Sequence, residues 1–246
     1  MKKLYILVAA FLASSLCLGQ NVWKTEDIHI RDPFILPVEK TGVYYMYRTS
    51  TKDGRGGVEA FKSRDLKEWT GPVRVLDLPE DNWITGGIWA PEVHKYKGGY
   101  YLFATINTDI VWKRDDTGRS YTFRGTQIFR ADSPEGPFKA FAKVPHTPMD
   151  EMALDGTFWL EDGQPYMVYC HEWVQTVDGE MKAVKLKKDL SEPVGQPVRL
   201  FNNLLCIFPC QPPSGRINIA VEDGNPVQGA GENPAGDETE ELCSPD

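Results

Sequence analysis

The chain has 246 residues, with 27 Lys and Arg against 35 Asp and Glu, for a formal net charge of −8. That length supports one sizeable core, and an acidic balance without a basic stripe excludes a nucleic-acid surface. The five cysteines have no zinc-site spacing: Cys206 and Cys210 have no histidine beside them, so no metal site is expected.

In chain order, the first segment reads as an export signal over residues 1–19. Lys2 and Lys3 precede an apolar run from Leu4 to Leu12, and small residues at Cys17 and Gly19 suit cleavage before Gln20. The run falls short of the roughly 20 residues that span a bilayer, and Leu16 is bulkier than lipid attachment at Cys17 accepts. The expectation is a periplasmic or extracellular protein with no membrane span. Removing Lys2 and Lys3 takes the charge from −8 to −10.

From Gln20 to Phe201 strand signals dominate, in a pattern that occurs three times. Asp32-Pro33-Phe34-Ile35 leads through Gly42 to Val43-Tyr44-Tyr45-Met46-Tyr47. Ala90-Pro91-Glu92-Val93 leads through Gly98-Gly99 to Tyr100-Tyr101-Leu102-Phe103. Asp155-Gly156-Thr157-Phe158 leads through Gly163 to Tyr166-Met167-Val168-Tyr169. Acids thus recur at Asp32, Glu92 and Asp155, at intervals of 60 and 63 residues. Each copy continues into a strand, a polar turn, and an outer strand beginning near Trp69, Phe138 or Val194. Four strands per unit at such a period predict an all-β propeller of four-stranded blades, at about 27–80, 88–145 and 152–201. Equivalent positions on such blades converge on one axis, where acids distant in sequence share a pocket. No amphipathic helix of ten residues is evident.

Composition changes after Phe201. Residues 202–246 hold six Pro, five Gly, eight acids, one base (Arg216) and one aromatic (Phe208). Too little apolar surface is present there to offset ordering entropy, so an irregular tail is expected.

Arg31-Asp32-Pro33-Phe34, Trp89-Ala90-Pro91-Glu92 and Asp155-Gly156-Thr157-Phe158, in that order and at blade spacing, resemble glycoside hydrolase family 43 over about residues 27–201. The resemblance implies a five-bladed propeller that hydrolyses arabinosyl, xylosyl or galactosyl linkages with inversion. It implies no required cofactor, leaves room for a structural ion near the axis, and makes a carbohydrate the expected partner. It assigns Asp32 as general base and Asp155 as the carboxylate that tunes the acid. Its general acid, a fourth-blade Glu, falls one period beyond Asp155, near residues 215–220. Glu222 lies nearby, but no aromatic strand follows it. The chain thus resembles a member cut short or diverted after the third blade.

The residues themselves support parts of this. Inversion needs one ionised carboxylate and one protonated carboxyl flanking the scissile bond, roughly 6.5–9.5 Å apart. Arg31 beside Asp32 favours an ionised carboxylate, although Asp32 also suits a plain turn before Pro33. Gly156 lets the backbone at Asp155 approach a ligand, although a capping Asp is the simpler role. Glu172, in Cys170-His171-Glu172-Trp173, would have its pKa raised beside an apolar ring, as a general acid requires, and equally suits a solvated loop. Glu92 is expected to bond a sugar hydroxyl or its catalytic neighbours. Trp89 and Trp173 are candidate sugar platforms or core residues. His171 is a candidate substrate or ion contact, or an ordinary hydrogen-bonding residue. Glu135 belongs to an outer turn, away from the axis. The competing readings are a non-catalytic carbohydrate-binding or remnant propeller, and a fructan hydrolase of similar architecture.

Overall fold

The computed structural model describes residues 21–78, 87–113 and 118–202. The signal-peptide and tail expectations therefore lie outside the described residues. The remaining chain forms three consecutive antiparallel sheets. The first comprises β1 (Val22–Lys24), β2 (Phe34–Val38), β3 (Val43–Lys52), β4 (Arg55–Ser63) and β5 (Glu68–Asp77), in the order β1-β5-β4-β3-β2. The second runs β6 (Ile88–Tyr96), β7 (Gly99–Lys113), β8 (Ser120–Ala131), β9 (Lys139–Ala140), and the third β10 (Ala153–Glu161), β11 (Gln164–His171), β12 (Glu180–Leu186), β13 (Pro193–Asn202). A single-turn helix α1 (Trp173–Thr176) interrupts the third.

The first sheet departs from four strands. Val22, Trp23 and Lys24 pair with Thr70, Trp69 and Glu68, adding a fifth strand at the outer edge. Trp23 Nε1 donates to the Gly71 carbonyl at 2.9 Å, and Trp69 Nε1 donates to Thr25 Oγ1 at 2.9 Å. These indole bonds fasten the incoming segment. The second satisfies the indole N–H of Trp69, which burial of that ring would otherwise leave unpaired, whereas Trp23 is exposed.

Alternation along β7 explains how the blades stack. Leu102, Ala104 and Ile106 enter the core shared with Tyr47, Val58, Ala60 and Leu76 of the first sheet. Tyr101 and Phe103 enter the core shared with Ala153, Met167, Tyr169 and Val184 of the third. Period-two side chains thus bury both faces of the second blade, so β7 reads as a nearly continuous apolar run. Each buried Leu, Ile, Val, Phe or Met among them contributes about 1.5–3 kcal/mol, and each Ala less.

Glu135 sits on an outer turn as expected, yet it joins two blades. Tyr45 donates its hydroxyl to Glu135 Oε1 at 3.2 Å, and Lys62 Nζ donates to Oε2 at 3.1 Å.

The repeat also aligns differently from its acids. Trp89 pairs with Thr105 and Glu92 with Phe103; Leu154 pairs with Cys170 and Thr157 with Val168. In both cases one extra residue is accommodated, a β-bulge. Its first residue takes positive φ: 42° at Ala90 and 54° at Asp155, with 50° at Asp32 just before β2. The equivalent positions are therefore Asp32, Ala90 and Asp155, at intervals of 58 and 65 residues (90 − 32 and 155 − 90). Glu92 is two residues further on, equivalent to Phe34 and Thr157.

Candidate active site

The bulges place their side chains at the mouth of one cavity of about 720 Å³, lined by Arg31, Asp32, Thr49, Trp89, Ala90, Glu92, Leu154, Asp155 and Glu172. Five of the seven residues expected at a site are among them: Asp32, Trp89, Glu92, Asp155 and Glu172. His171 and Trp173 are not. A left-handed residue turns the chain sharply at the start of an innermost strand, and Asp32 and Asp155 both line the cavity from such turns. Asp adopts this conformation more readily than most residues.

The four carboxyls that line the cavity have different surroundings. Asp32 is open to solvent, with Arg31 Nε 3.4 Å from Oδ2. Asp155 is pushed above the usual carboxylate range, first by burial and then by the negative charge of Asp32, with a smaller push from Glu92. Glu92 is driven upward by burial, but two bonds outweigh this and leave it below the usual value. His94 Nε2 lies 3.0 Å from its Oε2, and Thr157 Oγ1 donates to the same oxygen at 2.6 Å. His94 is wedged among the rings of Phe34, Phe103 and Phe158, which fixes its reach.

Glu172 is 7% exposed and opens α1 without using its side chain as a cap. Arg124 Nε lies 2.6 Å from Glu172 Oε2, a close ionic contact outside regular hydrogen-bond alignment. Burial raises the Glu172 pKa despite that cation, and the Asp155 charge adds to the rise. The Arg124 guanidinium also lies over the Trp89 ring, 5.3 Å from its centre, within the roughly 6 Å over which a cation is attracted to a ring face. Trp89 remains 41% exposed, so part of its ring is free to meet a ligand.

His171 instead faces a polar cluster. Its Nε2 is 3.0 Å from Gln175 Oε1, and its Nδ1 is 3.8 Å from Glu151 and 3.7 Å from Glu180. Trp173 is 50% exposed and meets Tyr121 edge-on, 6.0 Å between ring centres. Sequence reasoning missed Arg124 and Thr49. Thr49 had a signal, since it sits two residues beyond Tyr47 in the motif strand. Arg124 had none, because 48 residues separate it from Glu172 (172 − 124).

Among the described residues, no group of three His, Cys, Asp or Glu side chains is arranged to hold a metal. No described helix is long and apolar enough to cross a membrane.

Comparison with known proteins agrees with the all-β fold. An endo-arabinase structure from Bacteroides thetaiotaomicron is similar at a TM-score of 0.64 and 35% identity, covering 73% of this chain and 58% of that one. A thermostable family-43 glycoside hydrolase is similar at 0.56 and 27% identity, covering 70% and 53%. An extracellular exo-α-(1→5)-L-arabinofuranosidase from Cellvibrio japonicus is 23% identical over 203 residues, 77% of this chain and 51% of the relative. The chain therefore spans between half and three fifths of the length of these proteins. Residues 27–216 match the family described as Glycosyl hydrolases family 43, and the chain belongs to that family.

Proposed function

We propose that this chain is an exported inverting glycosidase of plant polysaccharides, with arabinosyl linkages as the first substrate class and xylosyl or galactosyl linkages next. The observation that carries this is the sharing of one cavity by Asp32, Asp155, Glu92 and Trp89. The 35% identity to an endo-arabinase and the likeness to an arabinofuranosidase support the arabinosyl preference. The leader pattern of residues 1–19 supports export.

In this reading Asp32, exposed and beside Arg31, takes a proton from water as that water attacks the anomeric carbon. The glycosidic C–O bond breaks, and a carboxylic acid on the opposite side gives its proton to the departing oxygen. Asp155 supplies the charge that keeps this acid protonated. Glu172 is the described carboxyl suited to be that acid, because it lines the cavity and burial raises its pKa. Trp89 offers its ring to a sugar face, and Glu92 accepts from a sugar hydroxyl.

A second reading, a carbohydrate-binding propeller without turnover, is favoured by the Arg124 contact, which stabilises Glu172 as an anion. Turnover of aryl arabinofuranosides and xylosides by the purified chain separates the two. Asp32→Asn should lower the rate by about 10²–10⁴-fold while leaving sugar binding intact. Glu172→Gln should slow poor leaving groups far more than activated ones. Absence of turnover with retained sugar binding selects the second reading, and turnover indifferent to both substitutions removes the site assignment.

A further inference from the structure

The wall behind Asp155 is built from hydroxyls of the second blade. Asp155 N donates to Thr105 Oγ1 at 2.9 Å, and Gly156 N donates to Thr126 Oγ1 at 3.1 Å. Thr105 Oγ1 also approaches Asp155 Oδ1, at 3.5 Å. Both threonines are fully buried and oppose each other across the β7–β8 ladder. Thr126 is fixed in turn, since its N–H donates to Thr147 Oγ1 at 3.1 Å. A Cβ at Gly156 would come within 2.6 Å of the Thr126 methyl, so the turn can press against this threonine only with glycine there.

The same register positions in the other sheets do not carry such a pair. Thr49 opposes Val58 in the first sheet, and Cys170 opposes Met181 in the third. Two hydroxyls thus occur at the sheet whose neighbour across the blade junction presents a left-handed residue bearing a carboxyl. At the preceding junction that residue is Ala90, with no carboxyl to aim.

We infer that Thr105 and Thr126 are positioning residues, a two-hydroxyl clamp that grips the backbone of the Asp155–Gly156 bulge from the neighbouring blade and aims the Asp155 carboxylate into the cavity beside Asp32. The functional weight of this clamp rests on the proposed catalytic role of Asp155, but its existence does not. Neither amide has a strand partner at the bulge, so the hydroxyls take the place of the missing ladder. The left-handed conformation is strained for a residue with a Cβ and persists only when the surroundings enforce it.

The test reads how strongly Asp155 senses Asp32. In the full chain with carboxyl-labelled aspartate, the Asp155 resonance is assigned by its loss in Asp155→Asn and followed against pH. Asp32→Asn removes a neighbouring negative charge and should shift the Asp155 midpoint downward. With Thr105→Val and Thr126→Val in place, the bulge relaxes and that downward shift should be lost. The matching serine substitutions keep the hydroxyls and should preserve it. Alanine variants serve where a valine variant does not fold by circular dichroism. A shift that survives loss of both hydroxyls overturns the clamp, as does one lost equally in the serine variants, or one absent from the unmodified chain. None of these titrations needs turnover. A chain inert toward aryl glycosides would therefore sink the glycosidase reading while leaving the clamp to stand or fall by its own measurement.

Discussion

Thr157 Oγ1 donates to Glu92 Oε2 at 2.6 Å, and the two residues occupy the same register position in adjacent blades. One repeat position thus supplies an acceptor in the second blade and its donor in the third, welding the two innermost strands beside the cavity. A hydrogen bond to an ionised carboxylate is among the stronger neutral-to-charged contacts a protein makes.

Thr157→Val should therefore destabilise the fold by about 1.5–3 kcal/mol at pH 7. Glu92 titrates below its ordinary value in the folded protein, so its contribution is present above the unfolded carboxylate range and fades as pH falls through the folded value. Urea unfolding at pH 7 and pH 3 checks this: the deficit of the variant should shrink at the lower pH.

Arg124→Met should act with a different pH signature. Removing one partner of a buried ion pair costs about 3–5 kcal/mol when the other charge is left behind. Without the cation, burial raises the Glu172 carboxyl further above its unfolded value. The penalty should then be small where Glu172 is protonated in both states and grow as pH rises. Urea midpoints at pH 5 and pH 7.5, compared with the unmodified chain, read that growth. The substitution also uncovers Trp89, so its fluorescence should change.

Ala90→Gly should stabilise the chain. Ala90 holds φ at 42°, where a Cβ costs about 1–2 kcal/mol and glycine costs little. The looser unfolded chain offsets part of the gain, leaving about 1 kcal/mol or less. The control is Ala104→Gly, at a buried strand position, which should destabilise. Thermal unfolding of the two variants should move in opposite directions.

His146 sets an acid limit on stability. It is buried, its Nδ1 accepts from Ile128 N at 3.2 Å, and burial pulls its pKa down to about 4. The unfolded chain takes up this proton near pH 6.5, whereas the folded chain resists it until about pH 4. Stability from the neutral ring is complete above pH 6.5 and drains away as pH falls toward 4, by about 3 kcal/mol in all. Denaturation midpoints from pH 7 to 4 should fall, and His146→Gln should flatten that fall.

Several features follow from residue order alone. The aromatic runs Val43–Tyr47, Tyr100–Phe103 and Tyr166–Tyr169 alternate as strands must, because side chains in a strand point to opposite faces every second residue. Their recurrence after Asp32-Pro33, Ala90-Pro91 and Asp155-Gly156 marks the blades, and Asp32 and Asp155 stand out as carboxyls opening innermost strands. Tertiary structure alone decided the rest. Matching acid to acid paired Glu92 with Asp32, whereas the backbone pairs Ala90 with Asp32, since a left-handed bulge is a property of ladder register and not of side-chain type. Arg124 reaches Glu172, and Thr105 and Thr126 reach the Asp155–Gly156 amides, only because blade packing folds residues 30 to 50 positions apart into contact. His171 and Trp173 flank Glu172 in sequence yet leave the cavity lining, because the turn into α1 and the end of β11 send neighbouring side chains in different directions.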